Sequence, residues 1–182
     1  MGLGRVGGHV ARRLSGWDVR LIVSDPYVTA ERARSLGAIL VDLETLLAEA
    51  DVVTLHCALT EETRGLIGEK ALRRMKPTAV LLNTARGEIA DEEAVARALD
   101  EGWIAGAALD AFTREPLPLH SPLRRPDPER LILTPHNVAH SEAGRRANLT
   151  LALEQILAVG RGEAPAHAVN PEALAGWRRR RW

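Results

Sequence analysis

Short runs of aliphatic and β-branched residues recur along the chain: "VRLIVS" (19–24), "AILV" (38–41), "DVVTLH" (51–56), "TAVLLN" (78–83), "IAGAALD" (104–110) and "LILT" (131–134). Nearly unbroken apolarity over so few residues predicts strands covered on both faces, as in a parallel sheet. Between these runs the apolar positions fall three and four apart, which predicts helices over roughly 8–15, 29–36, 43–49, 68–75 and 92–101. Asp91 is placed to cap the last of these, with Glu92 and Glu93 in its electropositive first turn. Strands alternating with helices predict an α/β, doubly wound fold around a parallel sheet.

The pattern breaks after Asp110. The stretch "FTREPLPLHSPLRRPDPER" (112–130) holds five of the chain's ten prolines and predicts a long irregular loop, functional or disordered. From Ser141, its expected cap, one long helix runs to about Val159, and a Pro-containing tail follows. Two segments are therefore expected, a domain over 1–140 and a helix with tail over 141–182.

Composition narrows the function classes. Lys+Arg and Asp+Glu both count 24, so no net field draws the chain to nucleic acid or to a membrane. One Phe and one Tyr leave little aromatic surface for stacking on bases. The terminal "WRRRRW" is the one strong basic cluster and reads as a solvated tail. Cys57 is alone, which excludes an intrachain disulfide or a cysteine-built metal site and fits a reducing compartment. No apolar run approaches the about 18 residues of a spanning helix, and the first residues carry no signal-peptide core. A soluble, cytoplasmic chain is expected.

The chain opens "MGLGRVGGHV", in which Gly2, Gly4 and Gly7 match G-x-G-x-x-G. Such a loop needs a tight turn, a backbone open to a pyrophosphate, and close helix packing. The helix that follows offers unpaired amides and positive potential to phosphates. Three glycines alone would be a weak signal, but a helix, a strand and then Asp25, 18 residues past Gly7, follow in order. An acid at that strand end can accept hydrogen bonds from an adenosine ribose. Pro26 and Tyr27 come next, with no arginine for a 2′-phosphate, so NAD is favoured over NADP. A Walker loop is excluded because no G-K-[ST] follows.

Three later stretches carry candidate chemistry: "LLNTARGEIADEEAV", "AALDAFTREPLP" and "LTPHNVAHS". Each starts at the carboxyl end of an expected strand, the edge where open α/β sheets bind ligands. They would set Arg86, Asp110, Glu115 and His136 along one crevice. A guanidinium can hold a carboxylate bidentately, and an imidazole can move a proton near neutral pH. A carboxylate beside that imidazole would fix its tautomer and favour its charged form. His136 and His140 are spaced i, i+4, but "HNVAH" lacks the glutamate of H-E-x-x-H and a third ligand, so no metal is expected.

These stretches, together with "GLGRVG", "LHCALTEETRGLI" and the closing "VNPEAL", resemble in order and spacing the nucleotide-binding domain of the D-isomer-specific 2-hydroxyacid dehydrogenases. The resemblance implies a Rossmann-type domain and NAD-dependent interconversion of a small D-2-hydroxy acid and its 2-keto acid. It implies that Arg86 binds the substrate carboxylate, that His136 is the acid/base, and that Glu115 tunes it. Gly2, Gly4, Arg5, Val6, Gly7, Asp25, Cys57, Thr84, Ala85 and Asp110 would line the cofactor, with Asp110 at the nicotinamide carboxamide. Ala58 stands where the family usually has proline, which loosens that loop slightly. A homodimer is implied for the completed enzyme, with no nucleic-acid or membrane partner.

The resemblance begins inside the first turn of the nucleotide-binding part. The first strand of the fold and the amino-terminal substrate-binding part are therefore expected to be missing, with Met1 where the last residue of that strand would stand. Runs 19–24 and 51–56 would then carry unpaired edges, and the chain alone would not turn over substrate. A non-catalytic nucleotide-binding or partner-binding remnant stays open as the alternative.

Overall fold

A computed structural model gives the fold and describes residues 1–174, so the terminal "WRRRRW" lies outside the described residues. The chain divides into two compact units, Met1–Val138 and the segment from Ala139 onward.

In the first unit β1 (Ile22–Val23) and β2 (Ile39–Leu40) pair in parallel. A second parallel sheet runs in the order β3 (Val52–Leu55), β4 (Val80–Asn83), β5 (Gly106–Leu109) and β6 (Leu131–Leu133). Each strand is shorter than its apolar run, because only residues facing a partner backbone enter a ladder. The helices are α1 (Arg5–Leu14), α2 (Ala30–Arg34), α3 (Leu43–Glu49), α4 (Glu69–Leu72) and α5 (Glu92–Asp100). Asp91 caps α5 through bonds from the Glu93 and Ala94 amides, and α5 buries Ala94, Val95, Ala98 and Leu99. These join Leu55, Leu81 and Leu109 in the main core, while Leu3, Ala11, Val23 and Ala33 form a smaller one around β1.

The first two residues bridge the sheets. The Met1 amine donates to the Thr54 carbonyl at 2.7 Å, and the Met1 carbonyl accepts the His56 amide at 2.9 Å. On the other side the Gly2 amide donates to Ser24 at 3.0 Å. Met1 and Gly2 thus lie between the carboxyl ends of β1 and β3. Elsewhere β1 pairs only with β2 and β3 only with β4, so the two facing edges are open among the described residues.

Segment 112–130 is irregular but tied down. Pro122–Arg124 makes one 3-10 turn with Leu123 buried beneath it. The Thr113 amide donates to Glu92 at 2.7 Å, and Arg125 reaches Glu93 at 2.7 Å, so both anchors sit on the first turn of α5. The loop is ordered by its neighbour rather than by its own propensity, which corrects the disordered reading that its prolines left open.

In the second unit α6 (Glu142–Gly160) is capped by the Ser141 hydroxyl, which accepts the Gly144 amide at 3.0 Å. It buries none of its residues. After it the chain folds back, and Gln155 accepts the Ala166 amide at 2.7 Å. No helix among the described residues is long and apolar enough to cross a membrane.

Candidate functional site

The glycine loop meets the sheet with a distinct use for each glycine. Gly2 has φ +80°, and a Cβ there would lie 2.6 Å from the Cys57 amide nitrogen. A Cβ on Gly7 would lie 2.0 Å from the Gly2 carbonyl oxygen, so α1 is seated directly on the loop. A Cβ on Gly4 would meet nothing within 4 Å. Two glycines are thus required by the protein's own backbone, whereas the third faces open space. That space belongs to a cavity of about 800 Å³ reaching from Gly2 and Gly4 past Asp25 to Thr63. Gly4 is also the cap of α1, with no side chain bonded to the first amides and no acidic residue in the first turn. Unpartnered amides, positive potential and an opening at Gly4 form a cradle that fits a pyrophosphate. Arg5 and Val6 are exposed in that first turn, and half-buried Cys57 lines the same cavity with its thiol pushed up by burial.

Asp25, at the end of β1, uses both carboxylate oxygens. Oδ2 accepts the Leu3 amide at 2.7 Å and Oδ1 the Tyr27 amide at 2.9 Å. It therefore holds the glycine loop in place and still presents free lone pairs to the cavity it lines.

The second constellation forms at the ends of β4, β5 and β6. Buried Asn83 closes the turn after β4, its Nδ2 donating to the Arg86 carbonyl at 2.8 Å and its Oδ1 accepting the Ala85 amide at 3.0 Å. Thr84 and Ala85 make up this turn. A Cβ on buried Gly87 would lie 2.0 Å from the Phe112 carbonyl carbon, so the Arg86 turn packs backbone to backbone on the loop after β5. In that loop Glu115 accepts the Phe112 amide at 3.0 Å and bonds His136 Nδ1 at 2.8 Å. The Phe112 amide, followed by His136, lowers the Glu115 carboxyl below its ordinary value. No group among the described residues bonds His136 Nε2, which leaves that nitrogen for a ligand. Glu115 and His136 line a second cavity of about 600 Å³ with Phe112, Leu117 and Leu133.

His136 has φ +52°, in the left-handed region that costs a non-glycine residue of order 1–3 kcal/mol. Buried Asp110 holds it there. Its carboxylate accepts the Thr134 hydroxyl at 2.6 Å and the Asn137 amide at 2.9 Å, with Val138 at 3.3 Å. Burial pushes the Asp110 carboxyl up, yet these donors outweigh it and the net shift is downward.

The structure brings Glu115, His136 and Asp110 together. It turns the Arg86 side chain elsewhere: Nη1 donates to the Ala85 carbonyl at 2.7 Å, and Arg86 lines neither cavity. Asp110 likewise lines neither cavity, its carboxylate being occupied by the 134–138 turn. Sequence reasoning missed Asn83, Gly87 and Thr134. All three stood inside quoted stretches, but their work rests on contacts that no spacing announces. His56 also lines the larger cavity half-buried, and burial lowers its imidazole's tendency to charge.

Comparison with known proteins identifies the family of the chain. Residues 1–138 match the family model described as D-isomer specific 2-hydroxyacid dehydrogenase, NAD binding domain. A glyoxylate reductase of Korarchaeum cryptofilum is 44% identical over 174 residues, covering 96% of this chain and 52% of its own length. A D-3-phosphoglycerate dehydrogenase of Synechocystis is 43% identical over 174 residues, 96% of this chain and 31% of that protein. The crystal structure of a D-isomer specific 2-hydroxyacid dehydrogenase from Lactobacillus delbrueckii ssp. bulgaricus, in its NAD complexed form, matches with TM-score 0.79 and 31% identity. That match covers 91% of this chain and 53% of that one. The chain spans about half the length of the glyoxylate reductases it matches. With the family model matched across most of its length, the chain belongs to the D-isomer specific 2-hydroxyacid dehydrogenases, through their NAD binding domain.

Proposed function

We propose that this chain carries the NAD-binding and proton-transferring part of an oxidoreductase that interconverts a D-2-hydroxy acid and its 2-keto acid. The observation that carries the reading is the Glu115–His136 pair, 2.8 Å apart at the carboxyl end of the sheet that also meets the glycine cradle. Gly2, Gly4, Gly7 and the first amides of α1 would hold the pyrophosphate, and Asp25 would take the adenosine ribose. When bound, the dinucleotide supplies hydride exchange at the substrate's second carbon.

The remaining chemistry belongs to side chains of this chain. Glu115 accepts the Nδ1 proton of His136 and so fixes the tautomer. Nε2 gives a proton to the substrate oxygen in reduction and takes it back in oxidation. Arg86 swings from the Ala85 carbonyl to clamp the substrate carboxylate as a fork. The same reading puts the protein in the cytoplasm and makes the completed enzyme a homodimer. The lone Cys57 and the exposed aliphatic side chains of α6 support that placement and assembly.

The test has a binding arm and a turnover arm. Calorimetric titration of the chain should show NADH bound more tightly than NADPH, with Asp25→Ala narrowing the gap because a carboxylate no longer opposes a 2′-phosphate. Equal binding of both by the unaltered chain sinks the NAD preference. For turnover, the chain is joined to the half of a glyoxylate reductase that it does not span. There His136→Ala should abolish keto-acid-dependent NADH oxidation while NADH affinity survives, and Arg86→Lys should weaken the acid, since an ammonium cannot reproduce the fork. Unchanged turnover of the histidine variant refutes its assigned role.

A further inference from the structure

The larger cavity is crossed at its rim by one hydrogen bond. Tyr27 follows Asp25 by two residues on the loop after β1, and its amide is held by Asp25 Oδ1 at 2.9 Å. Tyr27 is 80% exposed, yet its hydroxyl donates to Glu62 Oε2 at 2.7 Å. Glu62 lies on the loop after β3, on the opposite wall, and both residues line the cavity. An exposed phenol normally samples several rotamers, and this one is tethered across an opening.

The acceptor side is itself braced. Thr63 Oγ1 donates to the Ala58 carbonyl at 2.7 Å and accepts the Thr60 amide at 2.8 Å. The Arg64 amide returns to the Thr60 carbonyl at 3.0 Å. The loop that has Ala58 in place of a proline is thus closed by threonine hydroxyls, and it presents Glu62 at a defined height. Beside the phenol, Pro26 and Val28 supply apolar surface on the same wall.

We propose that Tyr27 and Glu62 form a strap over the adenosine end of the dinucleotide, the ring acting as a positioned wall for the purine and Glu62 as the residue that positions it. This rests on the nucleotide reading of the cavity. A purine has a flat π-face that an aromatic side chain can cover, and a ring fixed beforehand loses less freedom on binding. Glu62 acts through Tyr27 and is a positioning residue. Its bond also raises the phenol's pKa, so the hydroxyl stays protonated, and able to donate, above its ordinary range.

The test is a double-variant cycle on the full chain, titrated with ADP and with NADH. Tyr27→Phe keeps the ring and removes the tether; Glu62→Ala removes the acceptor; Glu62→Gln keeps an acceptor without the charge. Each of the first two should weaken ADP and NADH by the same factor, roughly three- to tenfold for one net hydrogen bond. The double variant should be no weaker than either single one, and Glu62→Gln should restore most of the affinity. Additive losses, an unchanged Tyr27→Phe, or a loss for NADH without one for ADP overturns the strap while leaving the cofactor reading intact. Failure of the unaltered chain to bind either nucleotide overturns both.

Discussion

At the scale of single residues, Asp110 shows how a buried charge is made useful. Asp110 is 3% exposed, and its carboxylate is matched by one hydroxyl and two amides from the turn that carries His136. A buried carboxylate without donors would be driven toward its neutral form; with three it is held ionised and below its ordinary value. Glu115 is shifted in the same direction. Groups that titrate lower in the folded chain than in the unfolded one bind fewer protons when folded. Their contribution to stability is therefore complete above the ordinary carboxylate range and is lost as pH falls through the depressed values. Urea unfolding at a series of acid pH values should show this loss for the wild type and a flatter profile for Asp110→Asn. At neutral pH that variant should be destabilised by about 1–3 kcal/mol, because buried amides are left poorly matched. Parallel pH profiles for the two proteins would falsify the assignment of Asp110 as the titrating clamp.

Elements explain why the glycine pattern has the spacing it does. α1 can begin only where the loop turns back, and Gly7 permits that by letting helix and loop backbones touch. A methyl group at Gly7 must displace the Gly2 carbonyl, whereas one at Gly4 meets no protein atom. The two substitutions therefore separate folding from binding. Gly7→Ala should lower stability by a clash of about 1–3 kcal/mol and weaken NADH as a consequence. Gly4→Ala should leave the urea midpoint nearly unchanged and still weaken NADH, because its methyl stands where the pyrophosphate would approach. If Gly4→Ala binds NADH like the wild type, the cradle lies elsewhere. Further along, the Arg130 guanidinium donates to the carbonyls of Leu99, Ile104 and Ala105, tying the end of α5 to the entry of β5. That contact fixes the strand whose end presents Asp110.

At the scale of the whole molecule, each unit leaves surface that ordinarily finds a partner. In the first unit the edges of β1 and β3, open among the described residues, flank Met1, and unpaired strand edges are templates for association. In the second, α6 exposes Leu149, Leu153, Ile156 and Leu157 over a helix that buries nothing. The purified chain should therefore associate as its concentration rises, with light scattering giving a mass above 19.8 kDa. A monomer at every concentration would show that these edges are protected in solution.

Much of this protein was decided by its sequence alone. Apolar runs set the strands, periodicity set the helices, Asp91 and Ser141 started helices where local chemistry requires a cap, and G-x-G-x-x-G with Asp25 marked the nucleotide side. Each is a short-range property, written in neighbours or in fixed spacing. The tertiary structure alone decided the rest. Gly87 matters because Phe112 lies against it, Asn83 because it spans the Arg86 turn, and Tyr27 because Glu62 waits 35 residues away. It also turned Arg86 onto its own backbone and enclosed Asp110, two outcomes invisible in a motif. Periodicity states which face of an element is apolar; which atoms meet across two elements depends on how the strands are ordered and how closely their loops pack.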